Sequence, residues 1–245
     1  MLIEALADVA KLGFFVLGAF LLLSAYARRS KPDWAAQLTR RRLAVLAALT
    51  LAMTAIKLIE DVVSRESGPV DAALLQFVRE QMPAAMTGFF AAVTLGGSAA
   101  FLLPASVALV LVFLLAKRRL EALLMGASML SATMLVYGIK ALVGRARPAL
   151  WESEVYWGSS FPSGHTLSSA AFASAAALCL ARIWPRSGTP AMLLAWLWAG
   201  LVALSRLVLG VHWPSDVLAA LCLGAFVALL FSVLLDRQDR PAHER

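Results

Sequence analysis

The sequence predicts an all-α polytopic membrane protein with six to seven transmembrane helices. Three observations support this prediction. Of the 245 residues, 61% are hydrophobic and 15% are charged, and long apolar stretches alternate with short loops that carry most of the charge. Ordinary soluble domains are far less apolar. Since we find no internal repeat, low-complexity tract or linker, residues 1–245 are predicted to form a single membrane domain.

Seven stretches are long enough to cross the hydrocarbon core, which takes about 20 mostly apolar residues in a helix. They cover residues 9–27, 42–62, 98–116, 120–141, 164–183, 190–209 and 214–235. The first stretch follows acidic residues and precedes Arg28 and Arg29, which is the reverse of the charge order of a cleavable signal peptide. We therefore interpret residues 1–30 as an extra N-terminal helix that is retained.

The segment from residue 63 to residue 97 is less regular. Apolar residues at helical spacing between two prolines predict a short amphipathic helix on the membrane surface. They are Val70, Leu74, Phe77 and Val78. The next apolar run, 84–95, ends at two glycines and is too short to cross a membrane alone. It is either a re-entrant segment or an extension of the third helix across a glycine break.

The net charge of +7 would suit binding to either nucleic acid or an anionic membrane. The positions of the basic residues distinguish between these two partners. They lie in short loops without the interleaved aromatic residues of a nucleic-acid platform, which excludes nucleic acid as a partner. If the seven helices alternate in direction, most of the 22 basic residues lie on one face, and that face should be cytoplasmic. These residues are Arg28, Arg29, Lys31, Arg40, Arg41, Arg42, Lys117, Arg118, Arg119, Arg182, Arg186, Arg237, Arg240 and Arg245.

The two cysteines, Cys179 and Cys222, lie in separate apolar stretches, where a thiol usually behaves as a small hydrophobic group. We predict neither a disulfide nor a metal site from them. No carboxylates or cysteines cluster at metal-ligand spacing, so the prediction includes no metal and no cofactor.

Three polar clusters lie between Lys140 and Asp216. The first runs from Lys140 to Arg147-Pro148, the second is Phe161-Pro162-Ser163-Gly164-His165, and the third runs from Ser205-Arg206 through Gly210 and His212 to Asp216. The 39 residues between His165 and Ser205 suffice for one helix across the membrane and one helix back. Both histidines are therefore expected at the same, extracytoplasmic face.

The patterns K-x6-R-P, P-S-G-H and S-R-x3-G-x-H-x3-D, in this order, resemble the three-part signature of the type 2 phosphatidic acid phosphatase superfamily. Every motif position is present. The resemblance covers roughly the C-terminal two-thirds of the chain, and the first helix lies outside it. It implies a catalytic helix bundle at residues 98–235 and a membrane lipid phosphatase that forms a phosphohistidine intermediate.

The residue types in the motifs suit phosphoryl transfer, in which negative charge spreads over three oxygens that the enzyme must hold. Lys140, Arg147 and Arg206 would provide the positive charge for these oxygens. Ser163 and Gly164 should open the helix that carries His165, and the free N–H groups of a helix N-terminus favour an anion. Supporting motif positions are Pro148, Pro162, Ser205 and Gly210.

We predict that His212 is the nucleophile. Asp216 follows four residues later, on the same side of the first turn of a helix. Its carboxylate could accept the imidazole N–H, leaving the other ring nitrogen free to attack phosphorus. His165 then remains as the general acid that protonates the departing oxygen and as the base that activates water in the second step.

Some polar residues are given structural roles instead. A single basic residue near the end of a membrane helix is usually a snorkelling anchor, and we assign Arg145 to this class. The aromatic residues and glutamates of the loop 149–161 are interpreted as an interfacial belt and solvated charges, or alternatively as the border of a headgroup entrance. His243, in the polar tail, is expected to be solvated.

The predicted function is hydrolysis of a lipid phosphate or diphosphate at the extracytoplasmic face, in a setting such as the bacterial inner membrane. The first candidate substrate is undecaprenyl diphosphate. Phosphatidylglycerophosphate, phosphatidic acid and lipid A stay open, as does transfer of the phosphoryl group to another lipid. A transporter or scaffold without chemistry is the alternative from a different class, although transporters tend to place ionisable residues nearer the bilayer midplane.

Overall fold

The computed structural model describes residues 2–149 and 158–236, and within these ranges the regular structure is helical. The α-helices, in chain order, are α1 (Leu2–Ser30), α2 (Pro32–Arg40), α3 (Arg42–Val63), α4 (Gly68–Gln81), α5 (Thr87–Leu95), α6 (Ala99–Leu115), α7 (Arg119–Val143), α8 (Gly164–Ile183), α9 (Gly188–Val208) and α10 (Pro214–Leu235). Short 3₁₀ turns precede α5 and α9. The predicted all-α fold class is confirmed.

Seven helical segments within the described residues are long and apolar enough to cross a membrane. They are Asp8–Ser30, Arg42–Val63, Ala84–Leu115, Arg119–Val143, Gly164–Ile183, Pro185–Val208 and Pro214–Leu235. Six of them agree with the predicted stretches to within a few residues. The third is longer than predicted, because the apolar run 84–95, which forms a 3₁₀ turn and α5, counts together with α6 as one 32-residue segment.

The centre of the bundle is the contact between α8 and α10, which also pack against α7, α9 and α3. A Cβ placed on Gly224 of α10 would overlap the backbone oxygen of Leu167 on α8. Small residues of this kind let membrane helices approach closely. The two helices that begin at the second and third motifs are therefore fixed against each other along the core.

The helix pair α5 and α6 is interrupted at residues 96–98. Ser98 caps the start of α6, its hydroxyl accepting a hydrogen bond from the Phe101 N–H at 3.3 Å. The break brings Gly97 against α8 and α9: a Cβ placed there would lie 2.5 Å from Val202 Cγ1 and 3.2 Å from His165 Cβ. A residue with a side chain does not fit at this position without movement of its neighbours.

The amphipathic helix predicted after α3 is present as α4. Val70, Leu74 and Phe77 are exposed on one side, whereas Asp71 and Leu75 are buried on the other. Its buried side packs against α9 and α10. Helix α1 packs mainly against α3, and most of the apolar side chains of residues 8–30 are exposed.

Candidate active site

The three motifs lie where four helices end or begin. Lys140 is in the last turn of α7, which stops at Gly144 in the left-handed conformation (φ 61°), and Arg147 is in the irregular link that follows. The second motif leads into α8. The third motif joins the end of α9 to the first turn of α10.

His212 is buried, with 3% of its side chain exposed. Its Nδ1 lies 3.3 Å from Asp216 Oδ2, so the contact expected from their i,i+4 spacing is present. Its Nε2 lies 3.3 Å from Arg147 Nη1. The imidazole is therefore held between a carboxylate on one nitrogen and a guanidinium beside the other.

The hydrogen bonds around Asp216 restrict its carboxylate further. The Trp213 N–H donates to Oδ2 at 2.9 Å, which caps the start of α10. The Ser163 N–H donates to the backbone oxygen of Asp216 at 3.2 Å. This last bond joins the second motif directly to the third.

The cationic side chains have defined partners. Arg147 Nη1 donates to the Val211 carbonyl at 2.9 Å, and Lys140 Nζ donates to the Ser159 carbonyl. Arg206 is 1% exposed, and its Nη1 donates to Thr94 Oγ1 at 2.6 Å. These bonds hold the three positive groups in place.

His165 is the second residue of α8 and is half-buried. Arg206, His212, Lys140 and Arg147 all lie close enough to interact with it electrostatically. The structure thus brings both motif histidines and all three predicted cationic residues to one end of the bundle. Their separate roles in catalysis remain predictions.

The remaining motif positions shape the backbone. Ser163 caps α8 by position, but its hydroxyl shares a hydrogen bond with Thr166 Oγ1 at 2.9 Å and makes no capping bond to the helix N–H groups. Pro148 and Pro162 are buried. Gly210 has a φ of 68°, where glycine is favoured. Ser205 Oγ donates to the Val202 carbonyl at 2.6 Å.

The interpretation of Arg145 as a snorkelling anchor is wrong. Its side chain is 14% exposed and lies between two carboxylates, with Nη1 2.6 Å from Asp216 Oδ1 and Nη2 2.6 Å from Asp71 Oδ2. This contact could not be predicted from the residue pattern, because a lone acidic residue in the first turn of an amphipathic helix usually complements the helix dipole. Asp71 lies 74 residues from Arg145, and Thr94 lies 112 residues from Arg206.

Burial lowers the pKa of His212 from its ordinary value to about 4, and the hydrogen bond with Asp216 opposes this shift. The positive charges of Arg206 and Arg147 lower the pKa further. The ring is consequently neutral near pH 7, as a nucleophilic imidazole must be.

The predicted belt residues Trp151, Glu152, Glu154, Tyr156 and Trp157, together with His243, lie outside the described residues.

Comparison with known proteins shows what the chain is similar to. The PAP2 superfamily model matches residues 121–240. Phosphatidylglycerophosphatase B of Escherichia coli is 42% identical over 80 residues, which are 32% of this chain and 30% of that protein. Decaprenylphosphoryl-5-phosphoribose phosphatase of Mycobacterium tuberculosis is 38% identical over 120 residues, 47% of this chain and 62% of that protein. The chain thus spans less than two-thirds of the length of these relatives.

A solved structure shares the fold. The crystal structure of a transmembrane PAP2 type phosphatidylglycerolphosphate phosphatase from Bacillus subtilis superposes with a TM-score of 0.72 at 24% identity, covering 80% of this chain and 98% of that one. The matched residues 121–240 contain all three motifs and the helices that join them. Over these residues, which are just under half of the chain, the sequence is similar to the PAP2 superfamily.

Proposed function

We propose that the chain is a membrane phosphatase that hydrolyses a lipid phosphate monoester or diphosphate through a phosphohistidine on His212. One observation carries the proposal: the buried imidazole has Asp216 at Nδ1 and the guanidinium of Arg147 beside Nε2. This arrangement leaves Nε2 as the attacking atom and places a phosphate-binding cation next to it.

In the first step, Nε2 of His212 attacks phosphorus, and the bond from phosphorus to the lipid oxygen breaks. His165, in its protonated form, donates a proton to that oxygen. Lys140, Arg147 and Arg206 bind the phosphoryl oxygens, with the N–H groups at the start of α8 near Ser163 and Gly164. Asp216 balances the positive charge that forms on the His212 ring.

In the second step, water attacks the phosphohistidine. His165, now neutral, accepts a proton from this water, the bond from phosphorus to Nε2 breaks, and inorganic phosphate leaves. Both histidines are then in their starting states. A phosphotransferase would follow the same first step and use a lipid hydroxyl or lipid phosphate instead of water.

Undecaprenyl diphosphate is the first substrate to test. The relatives named above are a phosphatidylglycerophosphatase and a decaprenylphosphoryl-5-phosphoribose phosphatase. Their names refer to two kinds of lipid, one with diacyl tails and one with a polyprenyl tail. Because one fold can serve several substrates, the choice rests on measurement.

The proposal places the site at the extracytoplasmic face of the membrane. Arg41, Lys117, Arg118, Arg119 and Arg182 meet at the end of the bundle opposite the motifs, and basic loops mark the cytoplasmic side. Their position supports this orientation.

The test is phosphate release from a panel of purified lipid phosphates in detergent. The panel contains undecaprenyl diphosphate, phosphatidylglycerophosphate, phosphatidic acid and lipid A, each as the sole substrate. We expect release from at least one of them, and none above background from the His212→Ala protein. Release at the wild-type rate by His212→Ala would refute the mechanism. Loss of substrate without free phosphate would indicate transfer to another lipid.

A further inference from the structure

Arg145 connects the site to α4, a helix outside the residues that match the superfamily. Its guanidinium bridges Asp216 on α10 and Asp71 on α4, with 2.6 Å between nitrogen and oxygen in both pairs. Asp216 is fully buried and the Asp71 side chain is 4% exposed. Ionised carboxylates at such depth need hydrogen-bonded partners of opposite charge.

Asp71 is itself fixed by α10. Its Oδ1 accepts a hydrogen bond from the Ser215 N–H at 2.8 Å, and its Oδ2 accepts one from the Ser215 hydroxyl at 2.6 Å. The guanidinium of Arg145 also lies over the ring of Trp213, 5.5 Å from its centroid. Arg145 and Asp71 therefore hold the start of α10 through Trp213, Ser215 and Asp216.

We propose that Arg145 and Asp71 are positioning residues for His212, acting through Asp216. Asp216 uses Oδ2 for His212 and the Trp213 N–H, and Oδ1 for Arg145. With both oxygens bonded, the carboxylate cannot rotate away from the imidazole. This inference rests on the proposed function, since the orientation of His212 matters for catalysis if His212 is the nucleophile.

Kinetics of Arg145→Gln, Asp71→Asn and Arg145→Lys test the inference. Loss of a residue that orients a catalytic group typically costs about 10-fold to 100-fold in activity. We expect Arg145→Gln and Asp71→Asn to lower kcat by this amount with KM changed less than about threefold, because neither side chain is placed on the phosphate. Arg145→Lys keeps the charge and should recover part of kcat. Asp61→Asn is the matched control, since Asp61 is paired with Lys57 near the end of α3.

Titration of His212 separates positioning from a structural role. The charged and titratable groups facing it are Asp216 on α10, Arg206 on α9, Arg147 in the link after α7, and His165 on α8. Arg145→Gln removes positive charge from Asp216 and should raise the pKa of His212, whereas Asp71→Asn removes negative charge and should lower it. The readout is the pH dependence of the His212 ¹⁵N chemical shifts in detergent micelles.

The two measurements have distinct outcomes. The inference is supported if the pKa of His212 rises in Arg145→Gln and falls in Asp71→Asn, and if both variants lose kcat with little change in KM. Unchanged kcat in all three variants, or folded variants whose His212 midpoint equals that of the wild type, would overturn it. The titration of His212 does not depend on turnover. If the wild-type protein releases no phosphate, the proposed function is refuted, but the titration still tests whether Arg145 and Asp71 act on His212.

A second observation concerns the half of the bundle away from the motifs. An apolar groove of about 720 Å³ runs between α6, α8 and α9. Phe172 and Trp198, whose ring centroids are 6.0 Å apart, lie at one end of it, and Arg118 and Trp184 lie at the other. From Phe172 to Ile183 a helix rises about 16 Å, close to the roughly 15 Å depth of one leaflet's hydrocarbon.

A basic cavity of about 680 Å³ adjoins the groove, and Arg118 lines both. Five basic side chains and two carboxylates line it: Arg41, Lys117, Arg118, Arg119, Arg182, Glu121 and Asp236. Arg41 and Arg182 pair with Asp236, and Arg182 also pairs with Glu121. In the part of the chain that the structure describes, Lys117, Arg118 and Arg119 have no carboxylate partner.

We infer that this groove and cavity bind one anionic phospholipid of the leaflet opposite the active site. The tail would lie in the groove, and the headgroup phosphate would contact Arg118 and its basic neighbours. The match of groove length to one leaflet favours a lipid tail as the occupant. The excess of positive charge in the adjoining cavity favours an anionic headgroup over a zwitterionic one. This binding does not depend on the proposed reaction.

Native mass spectrometry of the full-length protein with equal amounts of phosphatidylglycerol and phosphatidylcholine tests the inference. We expect one retained phosphatidylglycerol, preferred over phosphatidylcholine. Arg118→Gln with Arg119→Gln should weaken retention at least about fivefold, since each basic residue near the surface contributes to anionic lipid binding. Arg28→Gln with Arg29→Gln removes the same charge from exposed positions outside the cavity and should change retention less than about twofold.

A second pair of variants tests the groove. Ala195 lines it, whereas Leu197 on the same helix is 62% exposed and does not. Ala195→Phe should fill the groove and reduce retention, and Leu197→Phe should not. Equal retention of the two lipids, or retention that Ala195→Phe leaves unchanged, would overturn the inference. A third outcome is that Ala195→Phe lowers lipid retention whereas the loss of Arg118 and Arg119 does not. The groove would then bind a lipid tail without recognising the headgroup, which also contradicts the inference.

Discussion

His212 is held on both sides of its ring, and the groups that hold it also set its protonation state. Burial and the cations Arg206 and Arg147 favour the neutral ring, while Asp216 favours the charged one. Burial is the largest of these effects and decides the outcome. The result is an imidazole that stays neutral well below pH 7, as the proposed role of His212 as nucleophile requires.

The first prediction concerns this titration. We expect the ¹⁵N shifts of His212 in the wild-type protein to titrate with a midpoint near 4, against an ordinary histidine value of 6.5. Between these values the folded protein binds fewer protons than the unfolded chain, so stability should rise with pH in that window. His165→Asn and His243→Asn assign the remaining signals. A midpoint at or above 6.5 would contradict the buried, neutral ring.

A second prediction concerns Thr94, whose hydroxyl accepts a hydrogen bond from the buried Arg206. Thr94→Val keeps the shape of the side chain and removes the acceptor, and bonds to charged groups contribute about 1.5–3 kcal/mol. We expect kcat/KM for phosphate release to fall about tenfold or more. Thr133→Val is the control, because Thr133 bonds to a carbonyl of its own helix. Equal activity of the two variants would show that Arg206 needs no support from α5.

At the scale of helices, the break between α5 and α6 positions two parts of the site. Thr94, before the break, holds Arg206, and Gly97, within it, lies against His165. The sequence left two interpretations of residues 84–95 open. In the structure, α5 and α6 are separate helices joined through residues 96–98, and by length and composition residues 84–115 together could cross a membrane.

The third prediction tests the tight contact at this break. Gly97→Ala would place a Cβ 2.5 Å from Val202 Cγ1 and 3.0 Å from Ser169 Oγ, so α5 must move away from α8 and α9. We expect a loss of at least about tenfold in kcat and a lower melting temperature, because overpacking of a tight contact costs about 1–3 kcal/mol. Gly126→Ala, whose Cβ would meet Val110 at 3.8 Å, should behave like the wild type. Full activity and stability of Gly97→Ala would contradict the described packing.

The sequence was sufficient for the helices and the motif residues but not for the contacts that connect distant helices. Hydrophobic length alone locates a membrane helix, and the fixed spacing of His212 and Asp216 on one helical turn predicts their contact. The contacts of Arg145 with Asp71 and of Arg206 with Thr94 depend on which helices pack together. Sequence spacing contains no information on that packing, so Arg145 received the role that is commonest for a basic residue at a helix end.

At the scale of the whole molecule, positive charge is divided between two ends. Lys140, Arg147 and Arg206 lie at the motif end, and the basic cavity around Arg118 lies at the other. In the proposed mechanism the first group neutralises the transferred phosphoryl group. A divalent cation performs that role in many other phosphoryl-transfer enzymes.

The fourth prediction follows from this division of charge. Phosphate release should be unchanged within about twofold after dialysis against EDTA, because the three cationic side chains supply the charge that a metal would supply. A magnesium-dependent phosphatase assayed in parallel is the control for chelation. A strong loss of activity that added Mg²⁺ restores would contradict the mechanism.

The most direct measurement is rapid quenching of the protein with a lipid substrate labelled with ³²P in the transferred phosphoryl group. The account predicts label bound to the wild-type protein that is labile in acid and stable in alkali, located at His212 by peptide mapping, and absent from His212→Ala. Rapid phosphate release with no trapped label, or label that persists in His212→Ala, would contradict it.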